Sequence, residues 1–162
     1  EGLVNLFSTH DIDRKYEAII SGKPHQKVGS ITTTLGRHPI HRKKMAANVK
    51  NGKKAITHYN LLQSFDHFSH LELKLETGRT HQIRVHLSQI LNTPILCDPV
   101  YGNRNLPLRK VPPSIQQDLM DYPYQLLHAK ELGFVHPITK EKIHFSSPPP
   151  AIFQRALESF LP

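Results

Sequence analysis

Leu75-Glu76-Thr77-Gly78-Arg79-Thr80-His81-Gln82-Ile83-Arg84-Val85-His86-Leu87 joins two kinds of periodicity, and the fold class follows from how they meet. In the run His70 to Glu76, Leu71, Leu73 and Leu75 alternate with Glu72, Lys74 and Glu76. That is the pattern of a strand with one buried face. From about Thr80 to Leu91, residues Ile83, Leu87, Ile90 and Leu91 recur at helical spacing and predict a helix packed on the sheet. Asn92-Thr93-Pro94 closes it, because the residue before a proline is disfavoured in helical geometry. Arg79, Arg84, His81 and His86 crowd the junction. Cationic donors at a strand-to-helix turn are poor core material but suit an anion, either a phosphate or a carboxylate. No carboxylate in the sequence is an obvious match.

Outward from this junction, Arg14 to Ser21, Val28 to Leu35, Ala55 to Ser64, Leu126 to Val135 and Lys142 to Phe145 read as further strands. Ala55 to Ser64 and His70 to Glu76 form the strongest strand pair. Residues 2–9 read as the last turns of a helix, and Ile152 to Phe160 as a closing helix. Pro99 to Pro123, with Pro107, Pro112 and Pro113, reads as an irregular surface connection. Strands mixed with few helices and no βαβ rhythm predict an α+β fold, a mixed and largely antiparallel sheet with a few packed helices.

Composition narrows the class of partner. The 162 residues suffice for one domain with a hydrophobic core, and 38% are hydrophobic. No apolar run of about 18 residues is present, which argues against a membrane-spanning helix. Cys97 is the single cysteine, so no intrachain disulfide framework and no multi-cysteine zinc site is expected, and a reducing cytoplasm is the natural setting. The formal net charge of +8 favours a polyanionic partner, most simply nucleic acid, over a merely solvated basic surface.

Candidate residues follow from that charge. Arg37 to Lys54 contains Arg37, Arg42, Lys43, Lys44, Lys50, Lys53 and Lys54 and no acid, as a loop or a pair of short edge strands. It is either a phosphate-gripping surface or a solvated basic loop. On an ideal helix Arg84 shares a face with Thr80, His81 and Ser88. There it either clamps a carboxylate through two parallel hydrogen bonds or sits on the surface beside an acid such as Glu76. Tyr16 offers a ring for stacking and a hydroxyl, or is an ordinary strand tyrosine. The pairs His67/His70 and His81/His86 lack the spacing of a helical zinc site, and no metal is expected. No Walker loop, dinucleotide fingerprint or serine-hydrolase elbow occurs.

Together these residues resemble the RluA/RluD family of RNA pseudouridine synthases, with the RluD-like branch nearest. Thr77-Gly78-Arg79-Thr80-His81-Gln82-Ile83-Arg84-Val85-His86 is similar to that family's third motif. The likeness continues through Pro94-Ile95-Leu96-Cys97-Asp98-Pro99-Val100-Tyr101-Gly102, Leu127-His128-Ala129 and His136-Pro137. Upstream it takes in Arg14-Lys15-Tyr16-Glu17-Ala18, Arg37-His38-Pro39 and Lys43-Lys44-Met45-Ala46. Cys97 stands where the family usually has glycine. The family's nucleophilic aspartate motif, H-R-L-D-x-x-T-S/T-G, is not found, and neither is an S4-type RNA-binding domain. Asp11, Asp13 and Asp98 are not assigned its role.

The resemblance implies the C-terminal portion of a synthase catalytic domain over residues 1–162, inactive by itself for want of the nucleophile. It implies isomerisation of uridine to pseudouridine in large-subunit ribosomal RNA or a pre-ribosomal particle, with no cofactor. Arg84 would pair with the nucleophilic aspartate and Tyr16 would stack on the flipped uracil. Arg37, Arg42, Lys43, Lys44, Lys53 and Lys54 would bind RNA, and Arg79 and His81 would shape the site wall. An edge left open by a missing segment predicts self-association. The alternative from another class is a non-catalytic RNA-binding module.

Overall fold

A computed structural model describes residues 12–102 and 108–161, so the expected helix at 2–9 lies outside the described residues. Among the described residues seven strands form one sheet: β1 (Ile12–Ser21), β2 (Val28–Arg37), β3 (Met45–Ala47), β4 (Lys53–Ser64), β5 (Phe68–Leu75), β6 (Leu127–Val135) and β7 (Lys142–Ser146). Their order is β3-β2-β4-β5-β1-β6-β7, and every neighbouring pair is antiparallel. The expected α+β class holds, and the pair β4 and β5 lies side by side as the alternation implied.

Register decides which side chains share a face. Tyr16 lies opposite Leu73, which lies opposite Tyr59, and Leu75 lies opposite Thr57. Directly paired residues project to the same side of a sheet. Tyr16, Leu73, Tyr59, Leu75 and Thr57 therefore belong to one face. Glu17, Glu72 and Asn60 belong to the other. On that second face Glu17 is buried, 2.7 Å from Lys130 Nζ and 3.5 Å from His70 Nε2.

The helical elements depart from expectation in two places. The helix predicted at Thr80 to Leu91 is only α1 (Gln82–Val85), continued by one π-helical turn, His86–Ile90. It starts late because His81 takes the left-handed conformation at φ 57°, which cannot continue a right-handed helix. It widens because the Leu91 N–H donates to His86 O. Asn92, at φ 55°, turns the chain away. The second departure is α2 (Pro113–Asp121), inside the stretch expected to be irregular. Proline at the first helical position loses no hydrogen bond, so Pro112-Pro113 starts a helix rather than preventing one. α3 (Ala151–Ser159) begins directly after Pro150, which caps it from outside the helix. It buries Phe153 and Ala156, and Phe160 stacks on Phe68 at 4.5 Å.

The basic window resolves into the end of β2, a turn, the edge strand β3 and the start of β4, so it contains one short edge strand rather than two. The outward amides of β3 are taken up by side chains: Met45 N donates to Tyr101 Oη at 2.8 Å and Ala47 N to Gln89 Oε1 at 3.0 Å.

A buried polar array fastens α1 to the sheet. After Leu75 the ladder ends with Glu76 N donating to Ile56 O at 3.3 Å, and side chains continue it. Thr77 Oγ1 accepts from Ile56 N at 2.8 Å, and Gln82 Nε2 donates to Ile56 O at 2.9 Å and Thr57 Oγ1 at 3.0 Å. Gln82 Oε1 accepts from Thr77 Oγ1 at 2.8 Å and Arg79 N at 3.0 Å. All four hydrogen-bonding positions of this amide are thus filled. His86, fully buried, lies 2.9 Å from Thr33 Oγ1 through Nε2 and 2.9 Å from Thr57 Oγ1 through Nδ1. A neutral imidazole donates through one of these nitrogens and accepts at the other, so either tautomer ties Thr57 to Thr33.

Burial holds the His86 imidazole neutral, with its pKa lowered from 6.5 to about 4. A histidine depressed by folding contributes stability that is complete above its ordinary pKa and is lost as pH falls toward the folded value. Urea unfolding should therefore show roughly 3 kcal/mol lost from this group as pH drops from about 6.5 to about 4. His86→Asn, which does not titrate, should flatten that part of the profile. An unchanged slope in the variant would assign the acid sensitivity elsewhere.

Candidate active site

Arg84 is buried, not on an open helix face, and it has a carboxylate within the chain. Its Nε donates to Asp98 Oδ2 at 2.8 Å and its Nη2 to Asp98 Oδ1 at 2.7 Å, a two-pronged pair. The expectation that no carboxylate was evident is corrected here, and so is the reading that pairs Arg84 with Glu76. Glu76 instead meets His58 Nε2 at 2.6 Å. The third guanidinium nitrogen, Nη1, lies outside the fork. The Arg84 Cζ stands 5.1 Å from the centroid of the Tyr101 ring, within cation–π range.

Asp98 reaches Arg84 by a specific route. Pro94 to Leu96 runs beside β1, with Ser21 N donating to Pro94 O at 2.9 Å and Leu96 N to Ile19 O at 2.8 Å. Cys97 then adopts φ 65° and reverses the chain. The cysteine that replaces the family's usual glycine therefore sits in a conformation glycine favours, at a cost of about 1 kcal/mol. Asp98 Oδ1 also accepts from Val100 N at 2.9 Å and Tyr101 N at 3.0 Å. A side chain at Gly102 would bring its Cβ to 2.9 Å from Asp98 O, so only glycine closes this turn without displacement. Burial works to raise the Asp98 carboxyl, but Arg84 and the two amides outweigh it and hold the group below the ordinary carboxylate range.

The other predicted residues gather around the same end of the sheet. Tyr16, half-buried, is on the face that carries α1, because Thr57 of that face bonds Gln82 and His86. Arg37 is exposed at the end of β2, and its Nη1 donates to Arg42 O at 3.1 Å. Arg42 and Lys43 are exposed and Lys44 is half-buried. Lys53 and Lys54 are exposed at the start of β4, and Arg79 Nε donates to Lys54 O at 3.1 Å. A Cβ at Gly78 would lie 2.3 Å from Arg14 Nη1, so the glycine lets that guanidinium lie against the junction.

His81 approaches Tyr101 Oη through Nδ1 at 2.8 Å. Burial first, then the nearby Arg84 charge, lowers its pKa. Asp98, Tyr101 and Gln82 had no role in the sequence reading, and His86, expected among the cations of the junction, is instead buried and neutral because folding removes it from water. The Asp98-Pro99 turn ahead of Tyr101-Gly102 was the available signal, but nothing along the chain marked it as Arg84's counterpart.

The site is thus a guanidinium forked by Asp98 and lying over the Tyr101 ring, bordered by the cationic strand ends of a basic α+β domain. Residues 1–89 match the family described as RNA pseudouridylate synthase, and the chain belongs to that family. Ribosomal large subunit pseudouridine synthase D of Pasteurella multocida is 40% identical over 157 residues, covering 97% of this chain and 48% of that protein. The protein of the same name from Pseudomonas aeruginosa is 42% identical over 155 residues, covering 93% and 46%. The chain thus spans about half the length of these curated relatives. Among solved structures, Human RNA Pseudouridylate Synthase Domain Containing 4 superposes with a TM-score of 0.74 at 26% identity, over 98% of this chain and 66% of that one. Human RNA Pseudouridylate Synthase Domain Containing 1 gives 0.72 at 26% identity, over 92% and 59%.

Removing one member of a buried ion pair strands the other, at a cost of about 3–5 kcal/mol. Asp98→Asn should lower unfolding free energy in urea by that amount at neutral pH. A change below about 1 kcal/mol, the range of exposed pairs, would mean that the fork is not desolvated in solution.

Proposed function

We propose that this chain is part of the catalytic domain of an RNA pseudouridine synthase that isomerises uridine in large-subunit ribosomal RNA, in the cytoplasm or on a pre-ribosomal particle. The observation that carries the reading is the buried Arg84 guanidinium, oriented by Asp98, on the sheet face that also bears Tyr16. The names of the relatives support the choice of RNA.

The reaction breaks the N1–C1′ bond, turns the base and joins C1′ to C5, whose proton then leaves as N1 gains one. Nothing is oxidised and no atom enters the product from outside except solvent protons. The base must first leave its stack. Arg84 Nη1 lies outside the Asp98 fork and would hold the nucleophilic aspartate ionised and aimed. That aspartate is taken to come from a segment other than these 162 residues, since no H-R-L-D motif occurs among them. Tyr16 would stack on the uracil, and its hydroxyl would assist removal of the C5 proton. Arg37, Arg42, Lys43, Lys44, Lys53 and Lys54 would meet phosphates, with Arg79 and His81 lining the wall.

In the full-length protein, Arg84→Met should lower pseudouridine formation by about 10²–10³-fold while RNA affinity changes only a few-fold. Tritium release from 5-labelled uridine in ribosomal RNA measures the rate. Full activity in that variant would falsify the assignment and leave a binding module. The 162-residue chain alone should release no tritium. Replacing Lys43 and Lys44 by Gln should reduce the slope of log affinity against log salt by about one per lost phosphate contact. An unchanged slope would move the RNA surface elsewhere.

A further inference from the structure

We infer that Tyr101 is a positioning residue that couples the basic β2–β3 hairpin to Arg84; the inference rests on the function just proposed. Three separate parts of this one residue carry it. Its backbone N–H donates to Asp98 Oδ1 at 3.0 Å and so helps aim the carboxylate. Its ring lies beneath the Arg84 guanidinium, with Cζ 5.1 Å from the centroid. Its hydroxyl reaches Met45 N on β3 at 2.8 Å and His81 Nδ1 at 2.8 Å.

Donor accounting gives these bonds a direction. The Met45 amide can only donate, so Oη accepts there, and with His81 as the neutral Nε2–H tautomer the hydroxyl donates its hydrogen to Nδ1. The hydroxyl therefore has no free rotor, and the ring plane under Arg84 is held from the hydroxyl end as well as from the backbone.

The mechanical case is as strong as the geometric one. β3 has three residues and pairs with β2 through Met45, Ala46 and Ala47. The turn that precedes it carries the exposed Arg42 and Lys43 and the half-buried Lys44, cations proposed to take RNA phosphates. A strand this short, with one ladder, is held in place by what takes its outward amides. Those partners are Tyr101 for Met45 and Gln89, on the π-helical turn, for Ala47. Force on the hairpin from a bound RNA backbone therefore reaches the turn that carries Asp98 and the ring that carries Arg84.

A tyrosine that merely tied down an edge amide would affect folding alone, so the test separates hydroxyl from ring in the full-length protein. Tyr101→Phe keeps the ring and loses the hydrogen bonds. It should raise KM for a ribosomal RNA fragment about five-fold, the equivalent of one hydrogen bond, and lower the saturated rate by less. Tyr101→Leu removes the ring as well and should lower the saturated rate about ten-fold. Amide hydrogen exchange gives an activity-free readout: Met45 should exchange faster in Tyr101→Phe, while Ala47, held by Gln89, should not.

Unchanged KM and unchanged Met45 exchange in the Phe variant would overturn the tether. A wild-type saturated rate in Tyr101→Leu would overturn the support of Arg84, and if that variant does not fold, the Phe variant decides through KM and exchange. Should the wild-type protein form no pseudouridine, the proposed function fails. RNA affinity and Met45 exchange in the Phe variant then still decide the tether.

Discussion

A guanidinium taken out of water must be matched, and the arrangement of this domain follows from how Arg84 is matched. Asp98 supplies two acceptors to Nε and Nη2, and its own remaining capacity is filled by Val100 N and Tyr101 N. Such a pair is favourable only when every polar atom in it is satisfied and the geometry is close to ideal. That requirement accounts for the detail around it. The chain after α1 runs back along β1, Cys97 accepts a left-handed backbone, and Gly102 gives room for the Asp98 carbonyl. The result is a guanidinium with a fixed plane and one nitrogen outside the fork.

The second constraint is that α1 is too short to hold itself. Four residues followed by a π-helical turn have little intrinsic stability. The element is instead pinned by side chains that stand in for a strand. Gln82 and Thr77 bond the backbone groups of Ile56 where the β5 ladder ends, and His86 bridges Thr57 and Thr33 on neighbouring strands. A network of this kind is rigid when complete and costly when one member is removed, because the dielectric inside is low. Arg84 lies two residues from each of its members Gln82 and His86, so it projects from the other side of α1, and the pinning of that helix fixes where its side chain starts.

Much of the fold was legible in the sequence because alternation reports burial directly. Leu71, Leu73 and Leu75 are buried and Lys74 and Glu76 exposed, as the pattern required, and the boundaries of β2, β4, β6 and β7 fall close to those read from composition. The helix at the junction was legible as a helix but not in its length, since a left-handed His81 leaves no mark in periodicity. The Pro99 to Pro123 stretch was misread because proline breaks a helix interior yet is at home at its first turn, and α2 starts at Pro113. The clustering of Arg84 with His81 and Arg79 was anticipated. Their partners Asp98, Tyr101 and Lys54 O were not.

By itself, the amino-acid sequence determined the strand-rich α+β class and the acid-free basic run Arg37 to Lys54, and it singled out position 84 as a candidate. Each of these follows from short-range spacing or from composition, which survive without coordinates. Only the tertiary structure decided which carboxylate meets Arg84, that His86 is a neutral buried bridge, and that Tyr101 joins the hairpin to the site. The reason is physical: a hydrogen bond between residues 14 or 56 positions apart depends on where the sheet and its turns carry them. No local pattern along the chain records that meeting.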